Sequence, residues 1–374
     1  MATAVIAVAP SWQLSAATSA GAREFDTPSG LAFGGGHLWV TNETGNSITE
    51  INPSNGDWIG TFASAQYGFN RPSAVVSSGP DLFVANLNGT VSELAASDGA
   101  LVRLITGPAY HFVRPVALGA VGNTVLVLST GGAGPSSTAG ALTAINSRTG
   151  ALIRTWLGGR FSFNDPVALS VSGADAFIVD RGSDAVTEVN WATGAFVRVV
   201  SHHGLSTPDG IAVSGGRVWV SDSATNAVTD IAAATGTVIS TLSNANGDYG
   251  FGSPSVAIGS RGNIFIASPW GNSPMVTKLA ATSGAPSWYM CNTNGPYYFS
   301  QLSAFAVRGD RLWVASRSGA NSKTPGARTG SLTELATTDG ALIVTLPLPQ
   351  QTVPTTSTTS TTSTTASTTT TSLP

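Results

Sequence analysis

Seven successive copies of a unit of roughly 42 to 56 residues, each holding four short alternating segments between Gly- and Pro-marked turns, predict an all-β chain folded as a seven-bladed β-propeller with four-stranded antiparallel blades. The first observation is a recurring turn: NPSNG, AASDG, NSRTG, NWATG, AAATG, AATSG and ATTDG end at Gly56, Gly99, Gly150, Gly194, Gly236, Gly284 and Gly340. Their spacings are 43, 51, 44, 42, 48 and 56 residues. The second is what flanks that turn. SITEI, TVSEL, ALTAI, AVTEV, AVTDI, MVTKL and SLTEL precede it as strand c, and runs such as ALVRLI and AFVRVV follow it as strand d. The third is a proline, at 28, 72, 115, 166, 208 and 254 with Leu302 in the seventh unit, followed ten residues later by an apolar triplet such as LWV or IFI. Proline opens strand a and the triplet forms strand b, so four strands repeat seven times.

Each recurring residue type has a role in such a disc. Radial sheets bury both faces against their neighbours, so the strand-b centres Trp39, Phe83, Leu126, Phe177, Trp219, Phe265 and Trp313 are expected to fill the wedges between blades. At the end of strand b stand Asn42, Asn86, Thr130, Asp180, Asp222, Ser268 and Ser316, short polar residues suited to bonding turn backbone. The b-to-c turns and the crossings from strand d into the next strand a fall at the same end of the disc, the top.

The flanks differ from the middle. No charged residue precedes Arg23 or follows Asp339. Residues 1–24 read as a leader or lead-in segment, without the basic start of a secretory signal, and AVIAVA within them is a candidate for an added strand. Residues 25–346 form the expected propeller. The tail, 347–374, is read as a disordered stalk, because 13 Thr and 5 Ser among the 21 residues from Thr352 to Ser372 leave too little apolar surface to offset chain entropy. Charges are sparse, with Lys+Arg 17 against Asp+Glu 20 for a net −3, which argues against a nucleic-acid partner. No apolar run has the length of a transmembrane segment, and one cysteine excludes an internal disulfide framework.

The segment TPDGIAVSGGRVWVSDSATNAVTDI, Thr207 to Ile231, resembles an NHL repeat, and LWVTN at Leu38 to Asn42 followed by SITEI resembles the YVTN repeat. The likeness extends over residues 25 to 346. It implies a propeller of a bacterial extracellular type, in a superfamily that includes scaffolds, ligand binders, surface-layer proteins, streptogramin lyases and lactone hydrolases. A shared fold does not choose among these.

Candidate contacts lie in the crossings into strand a, which read YGFNRP, YHFVRP, FSFNDP, HGLSTP, YGFGSP and YYFSQL. Tyr67, Tyr110, Tyr249 and Tyr297, with His203 in the fifth unit, stand five residues before the proline position, and His111 follows Tyr110. Amphipathic aromatics around a funnel suit sugars, peptides or other flat polar ligands, although packing between blades accounts for a repeated aromatic equally well. Just before the proline, Thr27, Arg71, Arg114, Asp165, Thr207, Ser253 and Gln301 break the repeat's uniformity. Arg71, Arg114 and Asp165 can form a lopsided polar patch able to hold a carboxylate or phosphate, or Arg114 and Asp165 can pair across a blade seam. Insertions at Gly131 to Gly140, Cys291 to Tyr298 and Gly319 to Gly330 also fall at the top.

The expected function is that of an exported, secreted or cell-surface, monomeric binding or scaffolding propeller. Its top face would meet a protein, a glycan or a small polar ligand. No catalytic residue and no resident metal or cofactor is assigned. The competing class is a metal-dependent propeller lyase or lactone hydrolase, with His111 and His203 as acid–base candidates and a divalent ion near them and Asp180 or Asp222.

Overall fold

Extended, β-prone triplets bounded by Gly turns form strands throughout this computed structural model, which describes residues 25–131, 140–161, 163–201, 204–269, 274–292, 297, 299–317 and 329–346. After β1 (Phe25–Asp26), blade 1 is β2 to β5: Pro28–Gly34, His37–Asn42, Ser47–Ile51 and Trp58–Phe62. Blade 2 is β6 to β9 (Pro72–Ser78, Asp81–Asn86, Thr90–Ala95, Leu101–Ile105) and blade 3 is β10 to β13 (Pro115–Val121, Thr124–Ser129, Ala141–Asn146, Leu152–Trp156). Blade 4 is β14 to β17 (Pro166–Ser172, Asp175–Asp180, Ala185–Asn190, Ala195–Ser201) and blade 5 is β18 to β21 (Pro208–Ser214, Arg217–Asp222, Ala227–Ala232, Val238–Ser243). Blade 6 is β22 to β25 (Val256–Ser260, Asn263–Ser268, Met275–Ala280, Pro286–Cys291) and blade 7 is β26 to β29 (Leu302–Arg308, Arg311–Ser316, Thr329–Ala336, Leu342–Leu346). Each blade is an antiparallel meander in chain order, a to d, so the expected seven-bladed architecture is the observed one.

The wedges are filled as the repeat requires. Seven apolar clusters each span two neighbouring blades, and every strand-b centre from Trp39 to Trp313 is buried in one or at its edge. Along strand a, Ser303 Oγ donates to Pro28 O at 2.7 Å, Ser29 Oγ to Pro72 O at 2.6 Å and Ser73 Oγ to Pro115 O at 2.7 Å. Three consecutive seams are thereby stitched next to the central shaft. The turn glycines admit close approach by the preceding blade: at Gly150 (φ 72°) a Cβ would lie 2.9 Å from Arg103 Cδ, and at Gly236 (φ 72°) 2.6 Å from Arg198 Cδ.

Strand c carries a second regularity. Its pairing with strand d slips by one residue in all seven blades, after Glu50, Glu93, Ala144, Glu188, Asp230, Lys278 and Glu334. The five carboxylates at this bulge are buried, and each faces a basic side chain of its own blade: His37, Arg103, Arg198, Arg217 or Arg311. Burial pushes all five above the ordinary carboxylate range against the pull of those neighbours, Glu93 to about 7.

Among the described residues, the ring is closed by the two-residue strand β1 ahead of blade 1, not by an exchanged outer strand. Blade 7 supplies all four of its own strands, and β1 pairs with β28 through Phe25↔Gly330 and Asp26↔Thr329. Phe25 thus stands where Phe163 stands in blade 4, whose carbonyl accepts Gly140 N–H of blade 3 at 3.0 Å. The chain start supplies the crossing that every other blade receives from its predecessor. AVIAVA and the Thr/Ser-rich tail lie outside the described residues.

Candidate functional site

The rim of the shaft is built from two adjoining residues per blade, the one before the strand-a proline position and the one after strand b. The second donates its N–H to the crossing: Glu43 to Thr27 O at 2.9 Å, Arg181 to Asp165 O at 3.2 Å, Ser223 to Thr207 O at 3.1 Å and Arg317 to Gln301 O at 3.1 Å. Beneath it the strand-b terminus holds the crossing in place, as expected for a turn cap. Asp222 carboxylate oxygens accept from Ser206 and Thr207 N–H on one side and Ala224 and Thr225 N–H on the other. Asp180 accepts Asn164 N–H at 2.6 Å, and Asn86 Oδ1 accepts Asn70 N–H. Asp180 is pushed up to about 6, chiefly by burial and further by Asp165, while the bonds from Asn164 and Ser183 oppose the rise.

The residue before the proline position has positive φ in six blades: Thr27 at 59°, Arg71 at 50°, Arg114 at 54°, Asp165 at 54°, Ser253 at 48° and Gln301 at 49°. This is backbone that suits glycine, yet no blade uses glycine there.

Charge on the rim is gathered into two inverse triads. Glu43, its side chain 11% exposed, lies between Arg71 of blade 2 and Arg317 of blade 7. Arg71 donates Nε and Nη2 to Oε1 at 3.2 and 2.5 Å, and Arg317 Nη1 lies 3.2 Å from Oε2. Across the ring, Arg181 donates Nε and Nη2 to Asp165 Oδ2 at 2.9 and 2.8 Å and Nη1 to Asp209 Oδ1 of blade 5 at 3.1 Å. Burial would lower the Arg181 pKa, but its bonds and attraction to the two carboxylates outweigh this and raise it. Asp165 therefore pairs with Arg181 of its own blade, which also reaches Asp209 of blade 5, and not with Arg114. Arg114 is exposed, and among the described residues nothing pairs with its guanidinium.

The tyrosines sit in the seams. Tyr67, Tyr249 and Tyr297 stack on Phe69, Phe251 and Phe299 with centroids 5.3, 5.3 and 5.4 Å apart, and Tyr110 tilts on Phe112 at 5.2 Å. Tyr67 and Tyr297 are buried, so these two do not add the exposed hydroxyls expected of a rim. The Tyr110 hydroxyl donates to Gly150 O of the next blade at 3.0 Å, and that of Tyr297 meets Met290 Sδ at 2.9 Å. Packing against the aromatic two residues later draws the ring into the seam. His111 is exposed at φ 51°, while His203 and most of the three long insertions lie outside the described residues.

Sequence reasoning singled out Arg71, Arg114 and Asp165 but missed Glu43, Arg181, Asp209 and Arg317. Comparing the residue after strand b across the blades would have found three of them, because Glu43, Arg181 and Arg317 stand where other blades have Leu87, Thr130, Ser223 and Pro269. Below the rim the shaft opens into a cleft of about 220 Å³, lined by strand-a residues including Ser29, Ala74, Val116, Ala257 and Ala304. Among the described residues, no three His, Cys, Asp or Glu side chains are grouped to hold a metal. None of the helices there is long and apolar enough to cross a membrane.

The fold and rim define the chain as a seven-bladed propeller with a charge-divided top face. No family model matches it, and neither does any curated protein. Among solved structures it is similar to the computationally designed Ika8 protein, at 14% identity and TM-score 0.62 over 88% of this chain and 90% of that one. It is also similar to two bacterial propellers: virginiamycin B lyase from Staphylococcus aureus (13% identity, TM-score 0.61, 78% of this chain and 92% of that one) and BamB from Moraxella catarrhalis (16%, 0.51, 78% and 83%). At these identities the likeness is one of fold.

Proposed function

We propose that the protein is an exported, non-enzymatic binding propeller of the NHL/YVTN-repeat type whose top face recognises a ligand or protein partner. The observation that carries this reading is the departure from symmetry at the rim. Blades that agree in core, turns and caps disagree in the two rim positions, where Arg71, Arg114, Arg317, Asp165 and Arg181 replace neutral residues. Arg71, Arg317 and Arg181 are each 40% or more exposed, so their pairs are open to solvent on the arginine side, where such contacts add little, and Arg114 makes no pair among the described residues. Tyr110, Tyr249 and His111 are further contacts in the same crossings, with the buried Tyr67 and Tyr297 beside them, and His203 is the candidate the sequence offers in the fifth unit. The Thr/Ser-rich tail and the near absence of cysteine support a place outside the cell or on its surface.

A thermal-shift screen of the full chain against sugars, peptides, small anions, divalent metals and EDTA tests the reading. A ligand at ~100 times its Kd adds about 2.7 kcal/mol. The expected result is a stabilising shift that disappears in the Arg71→Ala, Arg114→Ala double variant. A shift produced by divalent metal alone, or no shift with any ligand, overturns it.

A further inference from the structure

We infer that the mouth of the shaft takes a zwitterionic ligand, an oxyanion linked to an ammonium, with the oxyanion on the arc of blades 7, 1, 2 and 3 and the ammonium on the arc of blades 4 and 5. The inference rests on the top-face reading above and adds the ligand's charge pattern. The two triads are opposites: one carboxylate between two guanidiniums leaves one positive charge in excess, and one guanidinium between two carboxylates leaves one negative charge. Arg114, standing between them in blade 3, adds a second positive charge to the first arc.

Glu43 acts as a spacer. It is buried, and each of its oxygens is taken by a different arginine, which fixes both guanidiniums while Arg71 and Arg317 stay 62% and 43% exposed. Arg71 Nη1 is uncommitted to Glu43, so an incoming oxyanion finds donors already ordered. On the opposite arc Arg181 holds Asp165 and Asp209 in the same way, and the Asp165 side chain is 46% exposed. An ammonium there offsets the triad's excess negative charge. A ligand with a single charge satisfies one arc and leaves the other in excess, so the charge pattern selects for both ends together.

Isothermal calorimetry on the full chain at low salt tests this with four end-blocked pentapeptides: Glu-Gly-Gly-Gly-Lys and its analogues with Gln for Glu, norleucine for Lys, or both. The expected result is that the doubly charged peptide binds about tenfold or more tighter than either singly charged one. The Arg71→Ala, Arg317→Ala variant should then lose the preference for Glu and keep that for Lys, and Asp209→Asn the reverse. 6-Aminohexanoate supplies the same charge pair without a peptide: equal affinity assigns the site to small zwitterions, and weaker binding assigns it to peptide segments. Equal binding of doubly and singly charged peptides by the unaltered protein, or no saturable binding, overturns the inference, and needs no variant to fold. If that happens while the thermal shift still depends on Arg71 and Arg114, this inference fails alone; if no ligand shifts the protein at all, the top-face reading fails with it.

Discussion

Glu93 shows how a single side chain sets the pH response. Its carboxylate is buried at the strand-c bulge, with Arg103 Nε 2.9 Å away, and it is pushed up to about 7. Its folded value lies above the unfolded value near 4.5, so the folded state holds the extra proton between those limits. Stability contributed by this group is therefore full below pH ~4.5 and lost as pH rises through ~7, by about 3 kcal/mol. Glu93→Gln should flatten the fall in Tm between pH 5 and pH 8, as differential scanning fluorimetry will show; an unchanged slope contradicts the assignment. The rim offers a second residue-scale test. Gln301 sits at φ 49° before strand a of blade 7, and Gln301→Gly should leave stability equal or raise it by up to ~1 kcal/mol in urea unfolding. Such positions could be found in the sequence as non-repeating residues, but their positive φ could not, since in the other blades the proline after them favours extended backbone.

At the scale of strands and turns, the sequence spelled out nearly everything that repeats and little that does not. Seven copies of the Gly turn and the strand-b triplet located the meanders, because alternation and turn chemistry are local signals. The strand-c bulge escaped notice, for a one-residue slip depends on how strand d docks. The partner of Asp165 also escaped, because Arg181 approaches it through the b-to-c turn, sixteen positions further along the chain. A blade's turn is fitted to its neighbour as closely as a core. Gly35 (φ 59°) carries no side chain where a Cβ would fall 1.9 Å from Ala96 O of blade 2, so Gly35→Ala should cost about 3 kcal/mol in denaturant unfolding. A change under 1 kcal/mol would mean that the seam between blades 1 and 2 is looser than this geometry requires.

For the molecule as a whole, the sequence left open how the ring shuts, since each unit reads a to d with no strand exchanged. Closure rests on β1, on the Ser303 to Pro28 bond and on the cluster in which Phe25, fully buried, packs with its ring centroid 4.9 Å from that of Trp58. Phe25→Ala should cost about 3 to 5 kcal/mol and expose the blade 1 and blade 7 seam to hydrogen exchange before any other. Uniform exchange across the seams in that variant would show that the ring is held elsewhere.

Because the last seam joins residues 275 positions apart, it has a consequence for biosynthesis. Blade 1 leaves the ribosome with one flank bare, and six more blades must emerge before anything can cover it. Neighbouring blades can dock as they appear, but the first flank waits for the final one, so ring closure is the slow, chain-length-limited event of folding. Until then the growing protein is an open arc, with an apolar face at each end that another arc fits as well as its own tail end does.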